Sequence, residues 1–150
     1  MSERSEKAVA LFKSGASCAQ AIVAAYADLF GLDQEMAMRV SGGLGGGMGR
    51  MREVCGVVSG MTVLAGLKAG NRTPEDAAGK KAAYELVQKM AAIFKEEYGS
   101  IICRQLLGLE KPEGSATPEP RTEKYYKKRP CAEMVGFGAR IVDRVLLGDE

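Results

Sequence analysis

Four cysteines are the side chains on which this chain could run chemistry: Cys18, Cys55, Cys103 and Cys131. No two are close in sequence, so the spacing is neither a CxxC pair nor a zinc-ribbon or ferredoxin run. The chain has no histidine and no tryptophan. That excludes Ser-His and Cys-His nucleophilic pairs, His-ligated zinc hydrolysis and c-type haem attachment. Thiols are what remains for polar chemistry at neutral pH. Four thiolates converging in space could ligate an iron–sulfur cluster for electron transfer, with a Cys₄ zinc site as the colourless alternative. They could instead cycle as dithiol and disulfide with a redox partner. A third reading treats them as small core hydrophobes in a helical binding or assembly module.

One of the four sits in an unusual stretch, SGGLGGGMGRMREVCGVVSG, from Ser41 to Gly60. Glycine is favoured where the backbone needs positive φ or where something must come close. Gly42, Gly43, Gly45, Gly46, Gly47 and Gly49 read as a loop. Gly45, Gly46 and Gly47 could bring backbone N–H groups to sulfur and tune a potential. Gly56 and Gly60 lie four apart beside Cys55 and Ser59, a stripe of small side chains open to another backbone or a bound group. That stripe also suits packing across a homodimer. Neither GxGxxG nor a P-loop is present, since Met48 stands where a P-loop needs Lys, so there is no nucleotide signature. Met48, Met51 and Met61 read as core filler rather than copper ligands. Glu53 reads as a first-turn acid that could orient or protonate Cys55.

The elements that must position these groups read as helices throughout. Apolar spacing predicts helices over 3–13, from Ser17 to Gly31, and from Asp33 through Val40. After the glycine loop comes a central helix over about 52–68, apolar almost all round, broken at Gly70-Asn71. Thr73-Pro74-Glu75-Asp76 starts a helix reaching Tyr98, with Thr73 as its cap. A short helix over 101–107 and a last one from Pro130 complete a single all-α domain, residues 1–150, a bundle of about five to seven helices. Residues 110–130, with Pro112, Pro118, Pro120 and Pro130, read as a long loop that either lacks order or covers something, held down by Tyr125 and Tyr126. On these elements every cysteine falls in or near the first turn of a helix. There the helix dipole and free N–H groups favour thiolate by ~0.3–1 kcal/mol. Arg104 and the Lys127-Lys128-Arg129 run should push Cys103 and Cys131 the same way.

The totals narrow the partners. A chain of 150 residues with net charge +2 makes no electrostatic case for nucleic acid or an anionic membrane. The longest uncharged run, 54–67, is too short to span a bilayer, so no membrane insertion is expected. With no signal peptide at the start, a cytoplasmic location is expected, where persistent disulfides are unusual.

Cys18 in SCAQAI, the loop GGLGGGMG, then CGVVSG, then two single downstream cysteines resemble a family of redox-active proteins with the pattern C…CGAxxG…C…C. The likeness spans most of the chain and departs at Val57, where the pattern has Ala. It implies that Cys18, Cys55, Gly56, Gly60, Cys103 and Cys131 are signature positions, and that the chain exchanges electrons with a partner protein or small carrier. A similar cysteine domain occurs in split-Soret cytochromes, where it accompanies an iron–sulfur centre. The missing CxxCH means haem does not carry over.

Overall fold

The computed structural model describes residues 2–108 and 115–149, without the side chains of 126–128. Part of the expected 110–130 loop, residues 110–114, therefore lies outside the described residues. So do the side chains of Tyr126, Lys127 and Lys128.

The protein is all-α. Helix α1 (Glu3–Lys13) starts at Ser2, whose hydroxyl accepts from Ser5 N. α2 (Cys18–Tyr26) is entered through a capping box, in which Ser17 accepts from Gln20 N and Gln20 Oε1 accepts from Ser17 N. Its last turn tightens into a 3₁₀ helix (Ala27–Phe30), and Gly31, at φ 79°, closes it. α3 (Gln34–Val40) is capped by Asp33. A 3₁₀ turn (Gly42–Leu44) opens the glycine loop, which leads to α4 (Gly56–Ala69) and α5 (Ala77–Tyr98). α6 (Cys103–Leu106), α7 (Glu123–Lys128) and α8 (Cys131–Val145) follow.

Several boundaries differ from expectation. α4 begins at Gly56 rather than near Arg52, because residues 46–50 and Arg52 take left-handed backbone that no right-handed helix admits. α5 is capped by Asp76, which accepts from Gly79 N, and Thr73-Pro74 forms the turn before it. Among the described residues there are eight α-helices, one more than expected. The addition is α7, inside the expected loop, where the Thr122 hydroxyl accepts from Tyr125 N. Strand pairing among the described residues is a single antiparallel bridge, Val54 to Ile102.

α2 and α4 form the centre. The expected central helix was α4 alone, yet α2 is buried from Ala19 to Tyr26 on nearly every side, with α1, α3, α4 and α8 packed around it. Its alanines make this feasible, since a thin helix can be surrounded closely. Phe12, Ile22, Tyr26, Met61, Leu64, Met90, Phe94 and Val142 fill one core. A smaller cluster, Val23, Ala24, Ala27 and Ala37, joins α2 to α3. Burying side chains of this size contributes roughly 1.5–3 kcal/mol each.

The stripe on α4 is used inside the chain. A Cβ at Gly60 would stand 3.0 Å from Ile22 Cβ, and one at Gly56 would stand 3.1 Å from Cys18 Cβ. α2 of the same chain therefore occupies this groove. A polar knot closes the bundle at the other end. The Tyr26 hydroxyl lies 2.7 Å from Asp143 Oδ1 and 2.8 Å from Ala139 O, and Ser2 Oγ donates to Asp143 Oδ2 at 2.5 Å. No helix among the described residues is long and apolar enough to cross a membrane.

Candidate thiol site

Each cysteine stands at a helix start. Cys18, Cys103 and Cys131 are the first residues of α2, α6 and α8, and Cys55 is the N-cap of α4. All four line one cavity of about 60 Å³, room for a few small atoms. Cys55 and Cys103 are buried, whereas Cys18 and Cys131 are part-exposed. None is in a disulfide.

The glycine loop brings α6 to the others. Gly47, at φ +69°, is packed so tightly that a Cβ would fall 2.6 Å from Cys103 Cβ. Backbone bonds then lock the loop to the turn before α6: Cys55 N donates to Ile101 O, and Cys103 N to Glu53 O at 2.6 Å. Gly46, Gly47 and Gly56 line the thiol cavity. Gly45 lines the cavity beside it, close against Ser17, and Gly60 faces α2.

The electrostatics separate the thiols. Cys18 and Cys131 sit in the same cavity, close enough for the ionisation of each to depend on the other. The neighbouring Cys18 thiol, helped by the charges of Arg129, Arg52 and Arg121, holds Cys131 down at about 7 against the burial that opposes it. The adjacent Cys131 thiolate, with burial, pushes Cys18 well above the ordinary thiol range. Burial drives Cys55 up to about 12 despite its position at a helix start. Cys103 is also raised by burial, although the Arg52 guanidinium stands 3.7 Å from its sulfur. The expectation that every helix start would favour thiolate thus holds for one of four. Desolvation of a buried charge outweighs a dipole worth under about 1 kcal/mol.

Other expectations shift with the geometry. Arg104 faces Glu53 at 3.3 Å rather than Cys103. Glu53 therefore pairs with a guanidinium instead of orienting Cys55. Met61 is core filler, but Met48 and Met51 are about half exposed. Arg52 and Arg121, which sequence reasoning missed, carry charge into the site. Arg52 is 6% exposed, at φ 60°. Its signal was present in the alternation of glycine with long side chains over 46–52, but such a turn has no helical or strand period to reveal it.

The segment 115–130 is a cover. Arg121 donates to Phe12 O and Ala16 O and stacks 4.5 Å from the Phe12 ring and 5.0 Å from that of Tyr125. Tyr125, as expected, packs down, and it lines the thiol cavity. Arg129 is held by Glu119 at 2.6 Å.

The four soft donors, with no imidazole, suit a thiolate-ligated cluster. Yet among the described residues no three Cys, Asp or Glu side chains form a group that could hold a metal ion. A family model described as "Putative redox-active protein (C_GCAxxG_C_C)" matches residues 16–145. The corresponding cysteine–glycine stretch of this chain reads CGVVSG, 55–60. No curated protein and no solved structure matches the chain.

Proposed function

The chain belongs to the C_GCAxxG_C_C family of redox-active proteins, and from that premise we propose that it is a thiol–disulfide redox protein whose couple is Cys131 and Cys18. The supporting observation is that these two cysteines line one cavity, part-exposed where Cys55 and Cys103 are buried, with Cys131 held at about 7. A thiol with pKa near ambient pH is the best attacker, being both ionised and nucleophilic.

Cys131 thiolate attacks one sulfur of a partner's disulfide. A Cys131–partner bond forms, and the partner's other sulfur leaves as thiolate. The Cys18 thiol passes its proton to that leaving sulfur and attacks Cys131 Sγ. The Cys18–Cys131 bond forms, the second partner sulfur leaves, and two electrons have passed to the partner. Arg52, Arg121 and Arg129 stabilise the negative sulfur of each step. Mild oxidation followed by peptide mapping tests this. A Cys18–Cys131 disulfide is expected as the first product. Any other first pair, or none, would overturn the assignment.

A second reading rests on all four thiols lining one cavity. Cys18, Cys55, Cys103 and Cys131 would hold an iron–sulfur cluster, which when bound supplies one-electron transfer. The lack of a three-ligand group among the described residues weighs against a single zinc ion. Anaerobic reconstitution with iron and sulfide separates the readings. Visible absorption with stoichiometric iron supports the cluster, and a colourless, iron-free protein sinks it.

A further inference from the structure

A second cavity, about 360 Å³, adjoins the thiols. It shares Ser17, Gly46, Arg52, Arg121 and Tyr125 with the thiol cavity, so these residues stand between the two as a common wall. Its size is that of a small-molecule site. Among the described residues three guanidiniums line it, Arg50, Arg52 and Arg121, with the carboxylate of Glu119, which is itself bridged by Arg129.

The cations are held in place. Arg121 is fixed by two backbone carbonyls and an aromatic face on either side. Arg50 donates to Ser115 O at 2.8 Å, and Arg52 reaches inward to the Cys103 sulfur. Positive charge therefore runs from the outer cavity to the thiols. Guanidinium already ordered binds carboxylate at little further entropic cost, and often through two parallel bonds.

We propose that this cavity admits a small disulfide carrying carboxylates and presents its S–S bond to Cys131. This rests on the exchange reading above. The disulfide is the oxidant. Cys131 takes one of its sulfurs and releases the other as a carboxylate-bearing thiol, protonated from Cys18. Cys18 then displaces the second thiol from Cys131, leaving the Cys18–Cys131 bond and two reduced small molecules.

The test uses the reduced protein and three disulfides that differ in charge: 3,3′-dithiodipropionate, 2-hydroxyethyl disulfide and cystamine. The rate of Cys18–Cys131 bond formation is followed by quenching and mass spectrometry. The dianion should react about tenfold or more faster than the dication at low salt, with the neutral compound between them. The ratio should shrink as salt is added. Adipate, the unreactive carbon analogue of the dianion, should bind by calorimetry and slow the dianion's reaction. Arg50→Gln should lose most of the charge preference, and a thermal melt checks that it is folded.

Equal rates for the three compounds, with no adipate binding, overturn the anionic pocket and leave the exchange couple standing. Adipate binding with no Cys18–Cys131 bond from any compound overturns the exchange couple, and a disulfide as occupant with it.

Discussion

Burial alone would raise both Cys18 and Cys131, and what separates them is that the Cys18 thiol and a field of arginines favour the Cys131 thiolate. Cys131 should therefore be the first residue labelled by iodoacetamide, with a rate that rises through a midpoint near 7. Peptide mapping of partly labelled protein checks the order, and Cys55 labelled first would contradict it. Removing the Cys18 thiol has a signed consequence. In Cys18→Ala the group that most favours the Cys131 thiolate is gone, so the labelling midpoint of Cys131 should move up. Arg52→Gln should move it the same way, because a cation that favours the thiolate is gone. Most of this was hidden in the sequence. The helix starts at Cys18, Cys103 and Cys131 were legible from Ser17, Ser100 and Pro130, whereas the start beside Cys55 was expected near Arg52 and lies at Gly56. The pairing of Cys18 with Cys131 was not, since it depends on where α2 and α8 meet. The arginines that tune it come from a turn and a cover segment that no periodicity marks.

Among the elements, the turn over 46–52 is the costly one. Met48, Arg50 and Arg52 all have φ between 60° and 67°, a conformation that costs an L-residue about 1–2 kcal/mol. Such strain persists where surrounding bonds over-determine it. Here those bonds are Gly49 N to Gly43 O, Arg52 N to Gly46 O and Glu53 N to Gly47 O. Met48 is exposed and serves no core, so Met48→Gly should stabilise the protein by about 0.5–1 kcal/mol in a urea titration. No change, or a loss, would mean that the turn is not strained there. The α2–α4 contact carries the opposite prediction. Gly60→Leu forces a side chain onto Ile22 and Ala19 and should cost about 1–3 kcal/mol. It should also disturb the Cys18 position, since Cys18 and Ile22 lie one turn apart on α2. The small stripe was visible in the sequence; that its occupant is α2 of the same chain required the fold.

At the scale of the whole molecule, acid–base behaviour is set by groups that resist ionisation. Cys18, Cys55, Cys103 and Tyr26 all sit above their ordinary ranges in the folded state, chiefly through burial and, at Cys18, the adjacent Cys131 thiolate. A raised folded value adds stability that is complete below the unfolded thiol range and is lost as pH rises through the folded values. The urea midpoint should thus fall steadily from about pH 8.5 upward. Cys131, held low, acts in the reverse sense, adding stability that fades as pH falls through about 7. A flat profile between pH 8 and 11 would contradict these assignments. Tyr26→Phe, which strips Asp143 of a partner at the closed end of the bundle, should cost about 1–3 kcal/mol by the same titration. Finally, Cys18 opens the second helix and Cys131 opens the eighth, so a covalent bond between them would encircle most of the polypeptide. A loop of roughly a hundred residues tied in the unfolded chain is worth about 4–5 kcal/mol. The oxidised molecule should therefore melt well above the reduced one, and thermal resistance would report its electron count.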